Sequence, residues 1–150
     1  MDGLKNKITD YWSQRAETFA AQRVREFESE KHDLWLREFQ QYIPRDQRLQ
    51  ILDVGTGTGF FALLLAAAGQ QVTGIDLTEN MIGEAKKISA KMGIQADFYV
   101  MDAEAPQFAP GTFDIIVSRN LTWTLPHLDT AYRSWHDLLK PGGLLINFDA

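Results

Sequence analysis

The stretch ILDVGTGTGFF, residues 51–61, decides the fold of this chain. An apolar run leads into three glycines on alternate positions, Gly55, Gly57 and Gly59, and a second apolar run follows them. The pattern predicts a buried strand, a tight turn and a helix that packs back against the strand. Because glycine has no Cβ, the same turn lets a ligand approach the backbone closely.

Short apolar runs alternate with helical segments from Leu49 to the end of the sequence. Strands are predicted at 49–55, 71–77, 96–103, 113–118 and 144–149, and helices at 59–68, 78–92 and 128–138. This alternation is typical of βαβ units and predicts an α/β, Rossmann-like three-layer sandwich, a mostly parallel sheet with helices on both faces. Ligands of such sheets bind beyond the carboxyl ends of the strands, where the glycines lie.

The first 48 residues have a different pattern, that of an amphipathic helical lobe. One helix is predicted over 8–27 and a second over 29–43, with Pro44 as its end and 44–48 as a linker. The apolar stripe of the first helix consists of Ile8, Tyr11, Trp12, Ala16 and Phe19. We expect residues 1–48 to form a helical lid segment and residues 49–150 to form the ligand-binding core.

Composition narrows the classes of partner and compartment. The net charge of −5 lies entirely in residues 51–150, which hold six basic and eleven acidic residues, so we expect no nucleic-acid partner. The chain has no cysteine, which fits a reducing compartment and removes thiolate metal sites; we expect no metal. No apolar run approaches the roughly 20 residues of a membrane span, and the N-terminus has no signal-peptide pattern. A cytoplasmic protein with no membrane partner is therefore expected.

Asp53 discriminates between two ligand classes for the glycine turn. Residues 57–62, GTGFFA, satisfy the loose dinucleotide pattern G-x-G-x-x-G/A, which is weak evidence alone. A dinucleotide would place its pyrophosphate over this turn, where the Asp53 carboxylate would repel it. A ligand that carries an ammonium and a sulfonium, such as S-adenosylmethionine, would be attracted instead. No Gly-Lys-Ser/Thr follows, so a phosphate-binding P-loop is excluded.

Two further acids end the next two predicted strands, and each suits one part of an adenosine ligand. Asp76 lies 21 residues after Gly55, where an acid accepts hydrogen bonds from both ribose hydroxyls. Asp102 is placed to accept from the exocyclic amine of an adenine, with the backbone N–H of Ala103 beside it. Apolar contact to the adenine is expected from Leu77 and Met81.

The motifs in this order resemble a known family. They are 51–59 (ILDVGTGTG), 72–76 (VTGID), 102–104 (DAE), 113–120 (FDIIVSRN) and 138–143 (LLKPGG). Over about residues 49–150 the chain resembles a class I S-adenosylmethionine-dependent methyltransferase of the small-molecule type, similar to quinone-biosynthesis methyltransferases. These motifs are specific for the family and not for a substrate.

The resemblance implies a set of roles. The loop with Gly55, Thr56, Gly57 and Gly59 would carry the methionine moiety of S-adenosylmethionine, Asp76 the ribose, Asp102 and Ala103 the adenine, and the backbone around Arg119 and Asn120 the ammonium. In related enzymes an N-terminal helix lies over the cofactor; Tyr11, Trp12 and Arg15 resemble that segment, and Arg15 would pair with the cofactor carboxylate. Candidate walls of the acceptor pocket are Tyr11, Trp12 and Trp123, with His127 as a further candidate for facing the substrate.

Two departures from the family pattern limit the prediction. Some relatives carry histidines shortly after strand four, where this sequence has Trp123 and Thr124, so no catalytic residue is assigned. The family sheet usually has seven strands, and this sequence stops at Ala150 after the fifth. We therefore expect the last two strands to be missing and the open edge to be covered by a second copy or another partner.

Three functions remain open at this point. The first is methyl transfer to a small-molecule acceptor by in-line displacement. The second is a cofactor-binding module without catalysis, which the shortened sheet motivates. The third is an NAD-dependent oxidoreductase, which the loose dinucleotide pattern motivates and Asp53 opposes.

Overall fold

The computed structural model describes residues 3–13, 15–44, 46–119 and 121–148, with the side chains of Leu4, Trp12, Phe19 and Trp123 outside the description. Five strands form one parallel sheet in the order β3-β2-β1-β4-β5. They are β1 (Gln50–Val54), β2 (Gln71–Asp76), β3 (Asp97–Val100), β4 (Phe113–Arg119) and β5 (Leu139–Phe148). The predicted parallel α/β sheet is confirmed. The chain runs outward from β1 to β3 and then returns to β4, which makes the β1/β4 junction the topological switch point.

Six α-helices surround the sheet in the described part of the chain. They are α1 (Gly3–Ser13), α2 (Ala16–Phe27), α3 (Glu30–Gln40), α4 (Phe60–Ala67), α5 (Glu79–Met92) and α6 (Leu128–Leu138). A short 3-10 helix covers Thr122–Thr124. Alternate residues of β1 point to opposite faces, so Ile51 packs into the core under α3, α4 and α5, and Leu52 into the core with Trp135 of α6. Helices therefore cover both faces, as predicted.

The predicted single helix over 8–27 is wrong, because the chain forms two helices there. A straight helix of 20 residues would run about 30 Å. The break after Ser13 lets both α1 and α2 pack against α5. The next helix is shorter than the predicted 29–43 and begins at Glu30, where the Ser29 hydroxyl accepts the N–H of Lys31 at 3.2 Å.

The last strand begins earlier than the predicted residue 144. Leu139 already pairs with Phe113, and the register shifts before Leu144 pairs with Ile115. The residues between carry the Lys-Pro-Gly-Gly run, in which Gly142 has a φ of 79°. An irregular strand rather than a plain loop therefore joins α6 to the sheet.

Within the described residues, β5 has a neighbouring strand on one side only. Its Leu144 and Leu145 side chains are 44% and 38% exposed. No helix in the described ranges has both the length and the apolar character needed to cross a membrane.

Candidate functional site

The glycine turn between β1 and α4 has a backbone that only glycine adopts easily. The φ angles of Gly55, Gly57 and Gly59 are 68°, 58° and 87°. A Cβ on Gly55 would lie 2.7 Å from Cδ1 of Leu121, and one on Gly59 would lie 2.9 Å from Cζ of Phe98. Both the positive φ angle and the lack of room for a Cβ require glycine at these two positions. Gly55 therefore leaves the backbone without a side chain at the end of β1.

Asp53 is buried at the end of β1, with 2% of its surface exposed. Its Oδ2 accepts the hydroxyl of Thr56 at 2.7 Å. Burial and, to a smaller degree, the charge of Asp76 raise the pKa of Asp53 to about 7, against the opposing hydrogen bonds from Thr56 and the N–H of Ala62. A cation bound nearby would stabilise the ionised form of this carboxyl.

Asp76, at the end of the neighbouring strand β2, stabilises the glycine turn by accepting hydrogen bonds from the backbone. Its Oδ2 accepts the N–H of Gly57 at 3.0 Å, and its Oδ1 accepts the N–H of Thr78 at 2.9 Å. Burial raises its pKa in spite of these two donors and a third hydrogen bond from the Thr78 side chain. A carboxylate has about four lone-pair sites, so one acceptor position of Asp76 remains for a ligand.

Asp102 follows β3 and forms an ion pair that the sequence did not predict. Its Oδ2 lies 2.5 Å from Nζ of Lys5 in α1, and the same ammonium lies 2.5 Å from Oε1 of Glu104. Burial lowers the pKa of Lys5, but the two carboxylates outweigh it and the pKa is raised overall. Oε2 of Glu104 also accepts the backbone N–H of His127. The first helix is thus held over the end of β3.

The side chain of Arg119, at the end of β4, reaches a residue of α2. Its Nη1 and Nη2 each lie 3.0 Å from a carboxylate oxygen of Glu26, and Nη1 of Arg23 lies 2.8 Å from Glu26 Oε1. Burial raises the pKa of Glu26, yet the two guanidinium groups lower it to about 2. The guanidinium of Arg119 also lies 4.8 Å from the ring centroid of Trp35.

These elements enclose one cavity of about 640 Å³ at the carboxyl ends of β1 to β4. The structure brings ten predicted site residues to its wall: Asp53, Gly55, Thr56, Gly57, Asp76, Leu77, Met81, Asp102, Ala103 and Arg119. Ten further lining residues were missed by the sequence analysis: Lys5, Ile8, Arg23, Phe60, Phe61, Thr78, Leu121, Thr124, Leu125 and Pro126. Gly59 shapes the turn without lining the cavity.

Six predicted positions are not brought to this wall or lie outside the description. Tyr11 is 49% exposed, and Arg15 stacks on its ring at 3.7 Å while donating to its carbonyl oxygen at 3.0 Å. The face of α1 that meets the cavity instead carries Lys5 and Ile8, three residues apart. His127 precedes α6 and is not among the lining residues. Asn120 and the side chains of Trp12 and Trp123 lie outside the described residues.

Among the residues that the structure describes, no group of three or more His, Cys, Asp or Glu side chains is arranged to hold a metal ion.

Comparison with known proteins gives one family. Residues 51–143 match the model of the methyltransferase domain, which is more than half of the chain. The chain therefore belongs to the class I S-adenosylmethionine-dependent methyltransferases of the small-molecule type, and the resemblance noted in the sequence is confirmed.

Two curated relatives illustrate the match. The ubiquinone biosynthesis O-methyltransferase of Xanthomonas euvesicatoria is 36% identical over 100 residues, which are 65% of this chain and 41% of that protein. The ubiquinone/menaquinone biosynthesis C-methyltransferase of Cereibacter sphaeroides is 36% identical over 123 residues, 77% of this chain and 48% of the relative. The chain thus spans about two fifths to one half of the length of these relatives.

Solved structures share the fold. The PH0226 protein of Pyrococcus horikoshii matches with a TM-score of 0.70 and 24% identity over 81% of this chain and 59% of that one. An N-methyltransferase of Haemonchus contortus, in complex with phosphomonomethylethanolamine and S-adenosylhomocysteine, matches with a TM-score of 0.68 and 32% identity over 74% of this chain and 27% of its own.

Proposed function

We propose that this chain binds S-adenosylmethionine in the cavity and transfers its methyl group to a small-molecule acceptor by in-line displacement. One observation carries the proposal. Asp53, Asp76 and Asp102, from the ends of three adjacent parallel strands, line the same cavity as the glycine turn. Membership of the methyltransferase family supports the same function.

The residues of the cavity fit the cofactor part by part. The turn offers bare backbone at Gly55 and Gly57, and Asp76 keeps one acceptor position for a ribose hydroxyl. Asp102 with the backbone of Ala103 suits the adenine edge. Met81, which is 2% exposed and lines the cavity, supplies a thioether against the ring.

The chain's own task is to position the reactants and exclude water. When bound, the cofactor supplies a methyl group already activated on a positively charged sulfur. Alignment of an acceptor with that group can contribute about 7–11 kcal/mol to lowering the barrier. The apolar part of the wall that would hold the acceptor consists of Ile8, Phe60, Phe61, Leu121, Leu125 and Pro126. We assign no catalytic residue.

The proposal extends to the N-terminal helices, the compartment and the partners of the protein. Residues 1–48 would act as a lid over the core at 49–150, which is supported by Lys5, Ile8 and Arg23 at the cavity wall. The protein would work in the cytoplasm on a small molecule and not on nucleic acid. A second copy or another partner would cover the edge of β5.

The test is calorimetric titration with S-adenosylmethionine, S-adenosylhomocysteine and NAD. We expect both sulfur ligands to bind and NAD not to bind. Because Asp53 has a pKa of about 7, the preference for the sulfonium over the neutral thioether should grow between about pH 6 and about pH 8. The variant Asp53→Asn should lose this pH dependence, and the matched variant Asp97→Asn, at an exposed position of β3, should keep it.

Two outcomes would contradict the proposal. Binding of NAD with no response to S-adenosylhomocysteine would indicate an oxidoreductase. Binding of S-adenosylhomocysteine without transfer of a labelled methyl group to any member of a broad small-molecule panel would indicate a binding module.

A further inference from the structure

The end of the cavity beside β3 holds an ion pair between two of its own lining residues. Asp102, which follows β3, and Lys5, of α1, both line the cavity. Oδ2 of Asp102 lies 2.5 Å from Nζ of Lys5, although the two residues are 97 positions apart in the sequence. The acid that we propose for the adenine therefore already accepts from a cation of the same chain.

The carboxylate of Asp102 has one local partner and one distant partner. Its Oδ1 accepts the backbone N–H of Glu104 at 2.9 Å, two residues further along the same turn. Its Oδ2 accepts from the ammonium of Lys5, which reaches it from a separate helix. The local hydrogen bond is part of the turn itself, so the contact with Lys5 is the one that a ligand can exchange.

A second carboxylate retains Lys5 when that exchange takes place. Oε1 of Glu104 lies 2.5 Å from Nζ of Lys5, and the Glu104 side chain is 3% exposed, against 31% for Asp102. Burial lowers the pKa of Lys5, but Asp102 and Glu104 raise it by more, so the side chain remains an ammonium. Because a buried carboxylate is costly without a partner, Lys5 stays with Glu104 when it leaves Asp102.

The helix that carries Lys5 is attached to different elements at its two ends. Near its C-terminus, the carbonyl oxygen of Ser13 accepts from Nδ2 of Asn80, in α5, at 3.4 Å. Near its N-terminus, Lys5 reaches the turn after β3. Ile8, on the same face of α1, lines the same cavity. A change at Lys5 can therefore shift the N-terminal half of α1 while the other end remains attached.

We propose, on the basis of the proposed function, that Lys5 competes with the ligand for Asp102, so that the contact between these two side chains is autoinhibitory. A ligand that donates an N–H to Asp102 meets a carboxylate whose charge the ammonium already offsets, and the positive ends of the two donors repel each other. Binding therefore moves Lys5 from Asp102 towards Glu104. Because coupling between two contacts is reciprocal, a ligand that displaces Lys5 also loosens the attachment of α1.

The experiment measures the affinity of the whole chain for two ligands by calorimetric titration. S-adenosylhomocysteine carries an exocyclic amine on its purine, whereas S-inosylhomocysteine carries an oxygen at that atom and has no donor there. Lys5→Met should tighten the binding of S-adenosylhomocysteine about fivefold, the size expected for a partly exposed ion pair. The same variant should not tighten the binding of S-inosylhomocysteine. Lys7→Met, at an exposed position of the same helix, should change neither affinity.

Two further variants separate competition from a general loosening of the fold. Glu104→Gln retains an oxygen for the backbone N–H of His127 and removes the charge that shares Lys5. Lys5 should then pair more fully with Asp102, and S-adenosylhomocysteine should bind about threefold more weakly. The double variant of Lys5→Met with Glu104→Gln removes the cation together with the buried charge that it compensates. It should bind as tightly as Lys5→Met, and it decides the test if Lys5→Met alone does not fold.

Three results would overturn the inference and leave the proposed function intact. The first is unchanged or weaker binding of S-adenosylhomocysteine in the variants without Lys5. The second is an equal gain for the two ligands, which would indicate a general opening of the cavity, and the third is an equal gain in Lys7→Met. Failure of the proposed function would instead show as no binding of S-adenosylhomocysteine to any of these chains, and the inference would fail with it. Binding that occurs only without Lys5 would support both.

Discussion

Glu26 and Arg119, 93 residues apart in the sequence, meet through two parallel hydrogen bonds of 3.0 Å. The first lies on α2 and the second at the end of β4. This contact ties the N-terminal helices to the switch point of the sheet. It is also the contact on which the side of the cavity lined by Arg23 and Arg119 depends.

The first prediction concerns the stability that Glu26 supplies. Removal of one partner of a buried ion pair leaves the other charge uncompensated, so Glu26→Ala should lower the free energy of unfolding by about 3 kcal/mol near neutral pH. The folded-state pKa of about 2 lies below the ordinary 4.5. The contribution is therefore fully present above about pH 4.5 and is lost as the pH falls toward 2. Urea unfolding at several pH values measures it.

The control for Glu26→Ala is Glu28→Ala, at an exposed position just after α2. This change should stay within about 0.5 kcal/mol of the unmodified chain. A cost of Glu26→Ala that matched this control, or that grew toward low pH, would mean that the ion pair does not stabilise the fold.

The second prediction concerns the pH dependence that Asp53 imposes. Its folded-state pKa of about 7 lies above the ordinary 3.8, so its contribution to stability is fully present below about pH 4 and is lost as the pH rises through 7. Asp53→Asn removes the cost of ionising a buried carboxyl. We expect the variant to gain on the unmodified chain between pH 4 and pH 8, by up to about 4 kcal/mol.

Chemical unfolding of the ligand-free chain across this range tests the prediction. Asp97→Asn, at an exposed position, should follow the unmodified chain at every pH. A constant difference between Asp53→Asn and the unmodified chain would show that Asp53 does not titrate in this window.

The third prediction compares two glycines. Gly59 has a φ of 87°, and a Cβ there would lie 2.9 Å from Cζ of the buried Phe98. Gly83 lies within α5, where a Cβ would meet nothing within 4 Å. Gly59→Ala should destabilise the fold by about 1–3 kcal/mol, and Gly83→Ala should stabilise it by about 0.5–1 kcal/mol. Thermal unfolding of the two variants measures the predicted loss and the predicted gain of stability. If both substitutions changed the stability by the same amount, the strain assigned to the glycine turn would be refuted.

The order of elements and the part of the cavity wall at the ends of β1 to β3 could be predicted from the sequence, because both depend on local signals. The three acids follow apolar runs directly, and parallel strands bring their ends to one edge of a sheet. Asp53, Asp76 and Asp102 therefore line the cavity as expected. The position of the glycine turn follows from the same local pattern.

The side of the cavity formed by the N-terminal helices could not be predicted because it depends on packing between distant segments. An amphipathic stripe continues across a helix break, so the separation of α1 from α2 left no clear periodic signal. The break decides which residues reach the cavity, and Lys5 lines it while Arg15 stacks on Tyr11. The ion pair between Arg119 and Glu26 likewise joins two distant segments, and no local sequence pattern around either residue predicts it.

The last prediction concerns Lys5 as the link between α1 and the end of β3. Its ammonium lies 2.5 Å from a carboxylate oxygen of Asp102 and 2.5 Å from one of Glu104, whose side chain is 3% exposed. Lys5→Met keeps the length of the side chain and removes the charge, which leaves a buried carboxylate without this cation. Because the change affects one attachment of α1, we expect hydrogen exchange of the α1 amides to accelerate about tenfold, with a smaller effect in β1 and β4. Lys7→Met, at an exposed position of the same helix, should leave the exchange unchanged. Equal exchange in the two variants would show that Lys5 does not hold α1 over the end of β3, whereas acceleration only in Lys5→Met would establish that α1 is attached there by charge, to Asp102 and Glu104.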